Sequence, residues 1–155
     1  MKIKNLYHLP KKEKRMLIKE FISETNRNKM ISDLLKHYKV SSVKVKQKSM
    51  KDHAHFDVDT GTLELSTRYK TIKPSKIKEF LITIIHEIRH AIDSKKYGWR
   101  KFKDMYEMEI AQWQANNPGK ENDWYEHISF EIEAEQFGQK NYKKWYTKFK
   151  KQGLF

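Results

Sequence analysis

Ile84-Ile85-His86-Glu87-Ile88-Arg89-His90-Ala91-Ile92-Asp93 is the stretch that decides the fold. At about 100° per residue in an α-helix, placing His86 at 0° puts His90 at about 40° and Asp93 at about −20°. Ile77, Leu81, Ile84, Ile85, Ile88, Ala91 and Ile92 fall within about 60° of the opposite direction, about 200°. The apolar face is complete without either histidine, so the core does not need them. Pro74 and Ser75 open this helix, which is predicted to run to about residue 95, and Gly98 lies just past its end.

Two imidazoles four residues apart share one helix face and can bind one metal ion. Glu87, at about 100° on the border between the faces, can act as general base toward a metal-bound water. Asp93, one turn beyond His90, can orient a ligand imidazole by accepting its second N–H, or can be a surface charge. Arg89 has no assigned role. The chain holds no Cys, so any metal must sit on His, Asp or Glu. The third-ligand candidates are His127 and the carboxylates of Phe130-Glu131-Ile132-Glu133-Ala134-Glu135. On a helix Glu131, Ala134, Glu135 and Gly138 share a stripe while Glu133 points nearly the other way. Ala134 and Gly138 are small enough to let two helices approach closely, which favours Glu131 or Glu135 over Glu133.

The rest of the chain predicts an α+β domain covering residues 1–155. Residues 1–40 form a basic helical segment, 41–138 the core, and 139–155 the basic, aromatic end of a long C-terminal helix. Residues 10–38 read as one or two helices with a polar break at 25–28. Residues 42–47, 55–58 and 63–67 read as short strands of a small antiparallel three-stranded sheet packed on the metal-site helix, with Asp59-Thr60-Gly61 as a turn. Asn116-Asn117-Pro118-Gly119 breaks the chain before a helix over residues 129–151.

The formal charge is +13. Residues 104–135 hold nine acids against one Lys, a net −8, so the remainder carries +21. Six Lys between 140 and 151 are interleaved with Tyr142, Trp145, Tyr146 and Phe149. That mix suits contact with nucleic acid or an acidic protein, and it equally reads as a basic face over a buried aromatic stripe. No segment has the apolar run of a signal sequence or membrane span, so a cytoplasmic protein, taken as a monomer, is the expectation.

His86 to His90, followed 41 residues after His90 by Glu131-Ile132-Glu133-Ala134, resembles the gluzincin arrangement of zinc peptidases, HExxH with a later ExxA or ExxD. The nearest resemblance is to small bacterial and phage metallopeptidases of the ImmA/IrrE type, whose second motif reads like ExxANxFA. Glu131, Ala134, Glu135, Phe137 and Gly138 stand at those places here. The resemblance implies a zincin-like fold in which His86, His90 and Glu131 hold Zn2+, with Glu135 and His127 as the alternatives to Glu131. It implies hydrolysis of a protein or peptide substrate by a zinc-bound water that Glu87 deprotonates, by a phage or mobile-element protease cleaving a specific partner. In such folds the strand before the active-site helix is an edge that pairs with substrate, and residues 63–67 match it. An oxyanion donor is also implied, with Tyr125 and His127 near Glu131 in sequence and Tyr97 as a further candidate. The first motif and the basic charge also resemble SprT-type proteases that act at DNA, although no His lies between His90 and His127 to serve as that family's third ligand. The alternative class is a DNA- or RNA-binding protein with a structural or vestigial metal site.

Overall fold

The structure, a computed structural model, describes residues 21–155. The first part of the expected N-terminal helical segment lies outside those residues. Helix α1, Glu24–His37, starts where the polar break is expected: Ser23 caps it, its hydroxyl accepting from the Asn26 N–H at 3.1 Å. The polar residues at 25–28 are therefore the first turn of a helix. Met30, Ile31, Leu34 and Leu35 turn into the core behind them.

The strands are β1 (Lys44–Lys48), β2 (Ala54–Asp57) and β3 (Thr62–Ser66), in the order β1-β3-β2. β2 and β3 form the expected antiparallel hairpin, with Phe56 opposite Leu63. The Asp57 carboxylate ties its turn by accepting from the Asp59 N–H and the Thr60 hydroxyl, and Gly61 supplies the positive φ of 62°. The other pair departs from expectation: β1 runs parallel to β3, with Val45 opposite Leu63, so the sheet is mixed. The loop after β1 carries the chain past the place of β3 to the far edge, and the hairpin folds β3 back between them. A strand reversing twice ends parallel to the first.

Helix α2, Ile77–Tyr97, ends at Gly98, whose φ is 83°. Its Ile77, Phe80, Leu81, Ile84, Ile85 and Ile88 are buried in one cluster with α1, β2, β3 and the far end of helix α4, Ser129–Lys151. The opposite face is also buried, because α4 lies along it. At Gly138 of α4 a Cβ would sit 2.8 Å from the Ile82 carbonyl oxygen of α2, so only glycine permits this approach. Trp145 and Phe149 are buried and the Trp145 Nε1–H donates to the Tyr38 hydroxyl at 3.1 Å, so the aromatic stripe of the basic tail belongs to the core.

Helix α3, Trp99–Asn116, is not among the elements read from the sequence. Of its residues only Phe102 is buried, so no continuous apolar stripe marks it. A 3-10 turn, Glu121–Glu126, leads back to α4. Glu109 of α3 receives the Ser129 N–H at 2.6 Å and so supplies the cap that Ile128, at the N-cap position of α4, cannot. No helix among the described residues is long and apolar enough to cross a membrane.

Candidate metal centre

His86 and His90 meet Glu131 at the crossing of α2 and α4. His86 Nε2 lies 3.0 Å from Glu131 Oε2 and 3.2 Å from His90 Nε2, and His90 Nε2 lies 3.2 Å from Glu131 Oε1. All three side chains are buried. Ligand atoms held about 2.0–2.1 Å from a tetrahedral centre are about 3.3 Å from one another, so these separations suit one small cation. Two imidazole nitrogens and one carboxylate oxygen are also a donor set that zinc accepts while keeping a fourth position open.

Close packing of the helices delivers Glu131 to this point. Ala134 is fully buried one turn on and Gly138 abuts Ile82 two turns on. On the outer side Arg89 links the helices, its Nη2–H donating to Glu133 at 2.8 Å and its Nε–H to Asp93 at 3.0 Å. Asp93 is therefore taken by Arg89 and does not orient a histidine. Among the described residues His90 Nδ1 is buried without a partner. The carboxylate behind an imidazole is instead Glu135, whose Oε2 stands 3.5 Å from His86 Nδ1. Glu135 thus backs His86 from outside the triad, and its side chain is half exposed.

Burial would disfavour a charged Glu131, but contacts with His86, His90 and Tyr106 outweigh it and hold its pKa well below the usual carboxylate range. His86 moves upward: burial opposes its protonated form, and the hydrogen bond to Glu131 with the charges of Glu87 and Glu131 more than offsets it. Glu87 also moves upward, chiefly because burial withdraws it from water. Its Oε2 accepts the Phe56 N–H at 2.8 Å, and its Oε1 lies 4.0 Å from His86 Nε2, facing the ligand atoms without joining them. A carboxylate so placed, with its pKa raised, can take a proton and return it.

The triad opens into a cleft of about 1000 Å³ between β2 and the α3 wall. β2, not β3, is the free edge along it: β3 is the central strand, so residues 63–67 cannot pair with an added strand. The Phe56 N–H bound to Glu87 points away from β3, toward this cleft.

Tyr125 lines the cleft with its hydroxyl 3.4 Å from His86 Nε2. Burial, then the charge of Glu131, raises its pKa, so it stays a proton donor. His127 is exposed and stacks on Trp113 at 4.9 Å between centroids, away from the triad. Tyr97 is the last residue of α2, lies outside the cleft lining, and sits beneath the Lys96 ammonium. Tyr106 is the residue the sequence reading missed. Its hydroxyl donates to Glu131 Oε1, and burial followed by that neighbouring charge raises its pKa. The one available signal was the i, i+4 pair Phe102 and Tyr106, readable only once α3 is recognised.

No protein-family model, curated protein or solved structure matches this chain, so the arrangement of these side chains is the ground for a functional reading.

Proposed function

We propose that this chain is a zinc-dependent peptidase that hydrolyses peptide bonds in a protein or peptide substrate. The observation that carries the reading is the buried His86, His90 and Glu131 group, with ligand atoms within 4.8 Å of one another, beside the separately held carboxylate of Glu87. His86, His90 and Glu131 would hold a zinc ion, which when bound would supply Lewis acidity to a carbonyl and to water. Glu87 takes a proton from the water whose oxygen adds to the scissile carbonyl carbon. It then passes that proton to the departing amine nitrogen as the C–N bond breaks. The Tyr125 O–H is placed to donate to the oxygen that gains charge meanwhile. Tyr106 fixes the Glu131 carboxylate. The outward backbone groups of β2 give an extended segment something to pair with, which favours a peptide over a compact small molecule.

The test is a comparison of zinc-loaded wild type and Glu87→Gln on a mixed peptide library, read by mass spectrometry for new termini. Wild type is expected to generate them and Glu87→Gln to lose about 10²–10⁴-fold in rate while retaining its zinc. Cleavage by Glu87→Gln at the wild-type rate, or none by fully zinc-loaded wild type, would overturn the reading.

A further inference from the structure

The cleft and the chain carry opposite charge. Against a formal +13 for the chain, eight carboxylates and two lysines line the cleft, a net −6. A divalent cation at the triad would still leave it at −4. These carboxylates are spread along the path of an extended segment. Asp52 precedes β2 and Asp59 follows its other end, while Glu107 stands on the α3 wall one turn from Lys103, whose ammonium pairs with Asp59 and feels the Glu107 charge. Four strand residues span about 13 Å, so the two ends are several substrate residues apart. Lys103 neutralises Asp59 at 2.9 Å, whereas Asp52 and Glu107 have no ion-pair partner among the described residues.

A second feature of the same walls points to the same kind of ligand. Tyr106, Trp124 and Tyr125 line the cleft with neighbouring ring centroids 6.1 and 5.7 Å apart, and Tyr125 is 50% exposed. An accessible aromatic face near a carboxylate is a favourable setting for an ammonium or guanidinium group. Low-dielectric walls also focus the field of the carboxylates into the cleft, while the basic exterior repels the same cations elsewhere.

We infer that the cleft selects a peptide segment bearing Lys or Arg on both sides of the residues that reach the metal triad. This substrate class rests on the peptidase reading, and it is opposite to what the charge of the whole chain would attract. Selection therefore comes only from a segment that enters the cleft.

The test uses two dye-labelled peptides of roughly twelve residues, one with Lys at the flanking positions and one with Glu in their place. Their binding to full-length, zinc-loaded Glu87→Gln is followed by fluorescence anisotropy. The Lys peptide should bind about tenfold more tightly, the sum of two partly exposed ion pairs. Adding Asp52→Asn and Glu107→Gln should bring that ratio below about threefold. Equal or tighter binding of the Glu peptide would overturn the inference, as would a preference that survives loss of both carboxylates. Both peptides are also offered to zinc-loaded wild type. Equal cleavage of the two sinks the selectivity and spares the peptidase reading; intact preference without any cleavage does the reverse.

Discussion

Tyr106 decides how firmly Glu131 is presented. The carboxylate has one oxygen toward each histidine, and Oε1 also receives the Tyr106 hydroxyl, so rotation about the last side-chain bond is held from outside the triad. Tyr106→Phe removes only that hydroxyl and keeps the ring that packs near Phe102 and Phe130. Zinc affinity is expected to fall about 10- to 100-fold in this variant, measured by competition with a chromogenic chelator, with the far-ultraviolet circular dichroism unchanged. An unaltered affinity would mean that the tyrosine merely packs. Glu131 and Glu135 share a helix stripe, yet only the first is buried against both imidazoles. Metal analysis of Glu131→Ala should find no zinc. Glu135→Ala should keep it, because its carboxylate faces Nδ1 of His86 and not Nε2.

At the scale of elements, the site depends on how closely α4 lies on α2. Gly138→Ala would push a methyl group to 2.8 Å from the Ile82 carbonyl oxygen, which belongs to a helix backbone and cannot turn aside. The cost should be about 1–3 kcal/mol, as for other overpacked positions. That corresponds to a fall of about 2–12 °C in melting temperature, and a change under about 1 °C would refute the tight contact. α2 and α4 were legible because each carries a long apolar stripe at helical period, and α2 is closed by Gly98. The hairpin of β2 and β3 was legible from its turn residues. The direction of β1 was not, since its five residues are all exposed and hold no record of which strand they meet. α3 was missed for the related reason that its only buried residue is Phe102, and Tyr106, Glu109 and the cleft wall were missed with it. The choice between Glu131 and Glu135, and the diversion of Asp93 to Arg89, depend on placements that sequence spacing leaves open.

Across the whole molecule, acid and base are segregated, with the cleft walls negative and the outer face of α4 positive. Lys140, Lys144, Lys148 and Lys151 fall on one exposed stripe of α4, successive members of the first three about 6 Å apart. Burial, and then the charges of Lys144 and Lys148, lower the pKa of nearby His37. The aromatic rings beneath are committed elsewhere: Trp145 is buried, with Lys144 and Lys148 lying over it at 5.6 and 4.7 Å. Bases therefore cannot stack on that ring, and the exposed cations of this face offer contacts to phosphates. Were duplex DNA to bind this face, its affinity would be sequence-independent and its logarithm would fall linearly with the logarithm of salt concentration. Replacing Lys140, Lys144 and Lys148 by Gln should make that slope shallower by about 2–3, close to 0.9 for each lost phosphate contact. Glu87→Gln and treatment with a chelator should leave the slope unchanged, because the cleft lies apart from this stripe. A triple variant with the wild-type slope would exclude α4 as the DNA-binding face, and a slope that shifts with the chelator would couple the phosphate contacts to the metal triad.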